Sequence, residues 1–475
     1  MIKTYNKTKI IATVGPACSD YEVLLELIKE GVNVFRLNFS HGKHEEHLET
    51  INNVRKINRA YKLNVGILAD LQGPKIRIGE VENDAVYLEE NKIIEVVSKK
   101  QISTEDRIYV SYENLAKDVK PGERLLIDDG KIIIEVTETN RVDLVLAKVI
   151  YGGVITANKG VNMPETTISV PSLTPKDLVD LDFALKHKAN WIALSFVRKA
   201  SDVQEVKQKA DNPNAVKVIA KIEKPEAIKN IDEIIDAADG IMVARGDLGV
   251  EVPIDRMPMI QKDIVKKCIQ KNKPVIIATQ IMDSMINNPM PTRAEVSDVA
   301  NAIIDGADAL MLSGETSVGK YPVKVIRTMV SIMKQVELEP AIYNKQLTAD
   351  ENSPTFLSDA VCFNACMISE SLGGKAIIGH TRSGYTAFML SSYRPKAKIF
   401  IFTDNEALLN ILSLCWGVQA FYYDKFVSTD GTISDVIQIL KNASLVKKDD
   451  VIINTGSMPL EAQGRTNMLK VTKVD

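Results

Sequence analysis

The sequence predicts an α/β protein: a closed (β/α)8 barrel of the TIM type, a small β-barrel lid domain inserted into it, and a C-terminal α/β domain. Three observations carry that expectation. Near-continuous apolar runs alternate with amphipathic helical patterns, as in parallel strands covered by helices. Eight such runs occur, KIIATVG, VNVFRLNFS, NVGILAD, NWIALSFV, AVKVIAKIE, GIMVARGD, PVIIATQ and ADALMLSGE, which suits a closed barrel better than an open sheet. The rhythm breaks twice, after Asp70 and again near residue 340.

The first βα unit is KIIATVG followed by SDYEVLLELIKEG, in which Ser19 and Glu22 have capping-box spacing and Gly31 stands where a helix stop belongs. The barrel is expected over 1–71 and 169–340, with helical patterns such as 255–270 and 322–335 covering its strands. Residues 72–168 turn instead to short alternating strands, DAVYLEEN, ERLLIDDGKIIIEV and RVDLVLAKVI. There Asp129-Gly130 reads as a hairpin turn and Pro121-Gly122 as a break, and prolines 164, 171 and 175 mark the return to the barrel. Residues 341–475, reached through the polar LTADENSPTF, carry the strands KAIIGH, KIFIFT and DVIINTG of a separate α/β domain.

Composition narrows the function classes. With 59 basic and 62 acidic residues the formal charge is -3, which is no footprint of a nucleic-acid binder. Five cysteines, without a C-x-x-C pair, indicate neither a disulfide framework nor a thiolate zinc site, and they fit a reducing cytosol. No secretory h-region follows Met1 and no apolar run has spanning length, so a cytoplasmic protein without a membrane partner is expected.

Polar residues gather where such a barrel keeps its active site, at the C-terminal strand ends. They are Arg36, Asn38 and Ser40 after strand two, Asp70 after three, Ser195 and Arg198 after four, and Lys221 and Glu223 after five. Arg245 and Asp247 follow strand six, Thr279 seven, and Ser313 and Glu315 eight. Burying so many ions is costly unless they pair or bind something, so the ring implies a charged ligand and a metal. Glu223 and Asp247, on adjacent strands, offer the hard oxygens that Mg2+ or Mn2+ takes while keeping waters and substrate phosphate. Lys221 supplies a compact cation beside them, as phosphoryl transfer needs. In VARGDLGVE, Gly246 allows close backbone approach, and the turn after it can offer N–H groups to a carboxylate.

The segments RLNFSHG, GPKIR, KGVNMP, KIEKPE, MVARGDLGVE, ATQIMDSM, PTRAEVSDVANAI and MLSGET, in this order along almost the whole chain, resemble the pyruvate kinase family. The resemblance implies transfer of the phosphoryl group of phosphoenolpyruvate to ADP, giving pyruvate and ATP in glycolysis. It also implies a homotetramer, with the inserted domain as a mobile lid. Carried over by position, Lys221 stabilises the phosphoryl group in flight, Glu223 and Asp247 hold the divalent metal, and Arg36 and Arg77 contact phosphate. Lys159 reaches the nucleotide phosphates, and Arg77, Asn38 and His41 bind the nucleotide with it. The substrate carboxylate lies against the backbone of Gly246 and Asp247 and the Thr279 hydroxyl, and Thr279 and Ser313 belong to the relay that protonates the enolate carbon. Neither hydroxyl has an ordinary pKa suited to donating that proton.

Potassium-dependent members carry Thr, Lys, Glu and Thr where this chain has Leu71, Gln72, Lys75 and Ile78. Asn38, Ser40 and Asp70 still match the monovalent-cation ligands. The resemblance therefore implies that Lys75, placed near Asp70, supplies the charge that K+ provides elsewhere, and that K+ is not required. In the last domain Thr381, Ser383, Gly384 and Thr386 of HTRSGYTAF form a candidate phosphate loop, which resembles the family's sugar-phosphate activator loop. Its companion NTGSMPLEAQGRTN places Glu461 where a second phosphate would be repelled, so an effector with one phosphate is expected. His41, His44 and His47, three apart, read as a solvated face rather than a metal site. Two other readings remain: another barrel enzyme that uses phosphoenolpyruvate, disfavoured by the lid and Lys159, and a catalytically silent metabolite sensor, disfavoured by Lys221, Glu223, Asp247 and Thr279 together.

Overall fold

The structure, a computed structural model, describes residues 6–210, 216–344, 348–349, 351, 353–425, 428–458 and 465–475. Eight strands close a barrel: β1 (Lys9–Thr13), β2 (Val34–Asn38), β3 (Gly66–Asp70), β4 (Trp191–Leu194), β5 (Lys217–Ile222), β6 (Gly240–Ala244), β7 (Val275–Ala278) and β8 (Ala309–Leu312). They run parallel in the order β1-β8-β7-β6-β5-β4-β3-β2 and back to β1. They are the eight runs expected from the sequence.

Alternation along each strand divides their side chains between two cores. Ile10, Phe35, Ile67, Ile192 and Val218 face the surrounding helices. Ile11, Val34, Leu68, Ala193, Ile219, Met242 and Ile276 fill the interior. Continuing the interior parity by two residues reaches Thr13, Arg36, Asp70, Ser195 and Lys221 at the C-terminal mouth, which is why the strand ends could be read as a site at all. At the opposite end the last domain closes the barrel. The Trp191 indole N–H donates to Ile411 O at 3.2 Å, and a Cβ on Gly66 would stand 2.7 Å from Ser413 Oγ, so the bottom of β3 accommodates that contact only because Gly66 has no side chain.

The first helix spans Tyr21–Glu30 and ends, as expected, on Gly31, whose φ of 134° suits glycine. The expected Ser19–Glu22 capping box does not form. The helix starts one residue later than that spacing needs, with Asp20 at the N-cap. Thr174–Asp177 and Thr292–Glu295 are the reciprocal boxes of this type.

Between β3 and the helix Pro175–Lys186, strands from Ala85 to Asn162 form a six-stranded sheet and a two-stranded partner around a core that includes Leu88, Ile94, Ile134 and Val149. The expected hairpin joins Arg124–Ile127 to Ile132–Thr139, with Asp128, Asp129 and Gly130 at φ 52°, 58° and 82°. The arms of the insertion pair with each other, Ile78 N–H donating to Lys159 O at 2.8 Å and Val161 N–H to Ile76 O at 3.0 Å. In the last domain, strands 418–422, 398–403, 376–380 and 451–456 are parallel neighbours in that order, and 468–473 adds an antiparallel edge.

Candidate active site

Lys221 is the centre of the barrel mouth. Its Nζ lies 3.1 Å from Asp70 Oδ1 and 3.1 Å from Glu223 Oε1, and donates to Ser195 Oγ at 2.7 Å. Ser195 in turn donates to Leu71 O at 2.7 Å, so the ammonium is held from several sides. Burial alone would push this amine down, but the carboxylates of Asp70 and Glu223 outweigh it and hold Lys221 above the ordinary lysine value. The ammonium therefore stays charged. Asp70 is fully buried, a state that would raise its pKa; Lys221 and Arg36 reverse this and hold it below the usual carboxylate range.

Arg36 donates from Nε to Asp70 Oδ2 at 2.7 Å and from Nη1 to Thr13 Oγ1 at 3.0 Å. Thr13, which the sequence reading assigned no role, closes β1 on the interior parity of Ile11. That parity was the available signal.

Thr279 lies beyond β7 with φ 68°, and Gln280 follows at 52°. A positive φ on a β-branched residue is a strained state that surroundings must enforce. Arg245 provides the brace. Its Nη2 donates to Thr279 O and Gln280 O at 2.9 and 3.1 Å, and its Nη1 to both oxygens of Asp298 at 2.8 and 2.7 Å. Arg245 thus holds two backbone carbonyls and a carboxylate. The Thr279 hydroxyl accepts from Gly246 N–H at 2.7 Å and donates to Ala278 O at 2.6 Å. Ser313 donates its N–H to Glu315 Oε2 at 2.7 Å, and Glu315 also takes Met282 N–H at 3.1 Å, so Glu315 ties β7 to β8.

Glu223 Oε2 accepts Phe196 N–H at 2.7 Å. Burial, with Lys221 pulling the other way and Asp247 adding repulsion, raises the Glu223 carboxyl above its ordinary value. The structure corrects the expected partner of Lys75: the ammonium pairs with Asp247 Oδ1 at 3.1 Å, not with Asp70. The reason is occupancy, since Asp70 is already engaged by Arg36 and Lys221. Of the expected monovalent-cation group, Asn38 and Asp70 are register neighbours on β2 and β3, and Ser40 N–H donates to Asn38 Oδ1 at 3.2 Å.

On the lid, Lys159 pairs with Asp128 at 2.9 Å, and Arg77 donates to Asn158 O at 2.8 Å, so both cations lie at the lid arms. His41 is exposed, and its pKa is lowered by partial burial and by Arg77, Arg36 and Lys75. The solvated-face expectation fails for its neighbours. His44 bonds Asp180 Oδ1 at 2.7 Å and stacks on Phe183, while His47 is buried and bonds His41 O at 3.1 Å. Helix periodicity turned these rings toward the next barrel helix.

In the last domain Thr381 Oγ1 accepts Gly384 N–H at 3.0 Å, and Ser383 Oγ accepts Tyr385 N–H at 3.4 Å. Thr386 is buried, with its hydroxyl against Thr466 Oγ1 at 2.7 Å. Thr381 and Ser383 shape the turn while Thr386 links it to the companion loop. Glu461 lies outside the described residues.

Residues 5–326 match the family described as pyruvate kinase, barrel domain, and residues 359–472 match pyruvate kinase, alpha/beta domain. Curated relatives include the pyruvate kinases of Geobacillus stearothermophilus, 42% identical over 98% of this chain and 80% of that protein, and Clostridium acetobutylicum, 42% identical over 99% of this chain and 100% of that protein. Among solved structures, a pyruvate kinase from Cryptosporidium parvum superposes with a TM-score of 0.92 at 34% identity, covering 99% of this chain and 96% of that one. With an eight-stranded barrel, a buried lysine between two carboxylates at its mouth, and likeness from end to end, the chain belongs to the pyruvate kinase family, the enzymes that pass the phosphoryl group of phosphoenolpyruvate to ADP.

Proposed function

We propose that this chain performs the family's reaction with Lys221 as its catalytic cation, and the observation that carries the reading is the position of that ammonium between Asp70 and Glu223. A compact charge fixed by its neighbours needs no reorganisation when negative charge spreads over the phosphoryl oxygens. Arg36, held by Asp70 and Thr13, presents its remaining N–H groups to the same phosphate. Arg77 and Lys159 on the lid arms, with Asn38 and His41, receive the nucleotide. The substrate carboxylate is taken by the Gly246 and Asp247 backbone and by Thr279; the bond that Gly246 N–H makes to the Thr279 hydroxyl at 2.7 Å opens as it binds. Thr279 and Ser313 stand on the side from which the enolate carbon is protonated.

Glu223 and Asp247 fit a divalent ion by their chemistry: two hard carboxylates just beyond the adjacent strands β5 and β6, each now facing a lysine ammonium, with other positions left to water and substrate oxygens. Mg2+ or Mn2+ bound there supplies charge neutralisation for the transferring group. Lys75, paired to Asp247, supports activity without K+. The turn containing Thr381, Ser383, Gly384 and Thr386 supports a regulatory site for an effector with one phosphate, in a cytoplasmic homotetramer.

The test is a coupled assay of pyruvate formation from phosphoenolpyruvate and ADP, with and without divalent metal, sugar phosphates and nucleotides. Metal-dependent pyruvate formation is expected. Binding of both substrates without turnover would favour the silent sensor.

A further inference from the structure

The mouth holds a second buried cluster, assembled from three separate elements. Glu251 Oε1 accepts Lys224 Nζ at 2.5 Å and Asn162 Nδ2 at 2.7 Å. None of the three residues is more than 9% exposed. Each is a short step from a residue of the proposed reaction. Lys224 follows Glu223 directly, Glu251 ends the helix Arg245–Glu251 that contains Asp247, and Asn162 lies three residues beyond Lys159 on the returning arm of the lid.

Stability gives little reason for such a cluster. Desolvating a carboxylate and an ammonium costs about as much as their pairing returns, and packed apolar side chains of similar volume would serve the fold as well or better. Glu251 Oε2 adds to the cost, being buried with no hydrogen-bond partner among the described residues. What the cluster does provide is direction, because both donors converge on one oxygen and fix the angle between lid arm and barrel. The same short helix meets the lid twice more. Lys75, on the outgoing arm, pairs with Asp247, and a Cβ on Gly130, at the lid hairpin, would stand 3.9 Å from Val250 Cγ1.

We propose that Glu251 is the anchor of the lid: a positioning residue that ties Asn162 of the returning arm to Lys224, so that the lid's nucleotide-binding lysine and the metal-binding carboxylates are set by one junction. The proposal rests on the roles given above to Lys159, Glu223 and Asp247. Phosphoenolpyruvate meets the barrel alone and ADP meets barrel and lid, so loosening the anchor acts on the nucleotide selectively.

Asn162→Ala removes the lid's donor and leaves the Lys224–Glu251 pair intact. The double variant Glu251→Gln, Lys224→Gln removes the anchor's charges together and leaves no buried ion unpaired. In the full-length protein without metal or substrate, hydrogen exchange of the lid-arm amides at 159–163 is expected to quicken by about 10-fold in Asn162→Ala, as loss of a hydrogen bond to a charged acceptor implies. In steady state the KM for ADP is expected to rise by about 10-fold, with phosphoenolpyruvate affinity within about 2-fold of the parent. Unchanged exchange at 159–163 would overturn the anchor. So would KM values for both substrates rising together, which is what a general loss of structure produces. If Lys159→Ala leaves ADP kinetics unchanged, the nucleotide reading fails, while the exchange experiment still decides the anchor on its own.

Discussion

The Lys75 ammonium sits 3.1 Å from Asp247 Oδ1, so a charge carried on the lid's outgoing arm already neutralises a carboxylate at the barrel mouth. Asp70, the carboxylate of the monovalent-cation group, is in turn engaged by Arg36 and Lys221, so a K+ bound there would add a further positive charge beside these cations. Two unit charges ~4 Å apart repel by about 4 kcal/mol at an effective dielectric of 20. Near-full activity is therefore expected in Tris or tetramethylammonium salts free of K+ and Na+ at matched ionic strength. Strong stimulation by added K+ would overturn this. Lys75→Glu with Leu71→Thr, Gln72→Lys and Ile78→Thr is expected to create a K+ dependence.

Lys221→Met keeps the stem and deletes the charge. If the ammonium acts chiefly on the transition state, kcat falls by a factor on the order of 10^2 or more, with much smaller change in substrate KM. A variant with near-parent kcat would remove Lys221 from the chemistry. Because its neighbours hold its pKa above the ordinary lysine value, the parent's activity is expected to show no loss assignable to this amine below the ordinary value of about 10.4.

Metal binding is readable without turnover. A ligand that binds only the folded chain, at about 100 times its Kd, adds about 2.7 kcal/mol of stability. Mg2+ or Mn2+ is expected to raise the Tm of the parent, and much less that of Glu223→Gln or Asp247→Asn. Burial raises the Glu223 carboxyl, and proton and metal compete for the same oxygens, so the metal's stabilising effect weakens as pH falls. Equal Tm shifts in parent and both variants would place the ion elsewhere.

The barrel and the polar residues gathered at its mouth were legible because two periodicities coincide. Parallel strands buried on both faces read as apolar runs, and the residue that ends each run on the interior parity must face the mouth, as Arg36, Asp70 and Lys221 do. Partnership was not legible. Sequence put Lys75 beside Asp70, but Arg36 and Lys221 had already engaged that carboxylate, which only the closed barrel reveals. Arg245 read as a member of the charged ring, yet its guanidinium turns to Asp298 and to two carbonyls beyond β7. Strands 418–422 and 468–473 went unread because they are short edge strands, and 468–473 has no buried residue and no period of two.

Asp70 is a costly charge to remove. Asp70→Asn leaves Arg36 and Lys221 buried without their shared counter-ion, and breaking one side of such a group costs about 3–5 kcal/mol. The folded pKa lies below the unfolded one, so Asp70 stabilises fully above the unfolded value of about 3.9 and loses that contribution as pH falls through the folded value. The gap between parent and Asp70→Asn in urea unfolding is therefore expected to be widest near neutral pH and to close in acid. A constant gap across that range would mean that the charge does not contribute.

Arg245→Met tests whether the strained turn beyond β7 is held in place for chemistry. The guanidinium satisfies Asp298 and the carbonyls of Thr279 and Gln280 together, and no other side chain spans that set with planar N–H groups. Without it Thr279, at φ 68°, is free to relax toward an ordinary conformation and recover strain on the order of 1–3 kcal/mol. That gain offsets the lost hydrogen bonds, so the stability change stays within about 2 kcal/mol. Activity has no such offset, because the Thr279 hydroxyl then leaves the Gly246 N–H it accepts at 2.7 Å. A kcat lower by at least about 10-fold at nearly unchanged Tm is expected. Asp298→Asn, which retains an oxygen acceptor, should stay within a few-fold of the parent, and equal loss in both variants would show that the ion pair rather than the backbone brace matters.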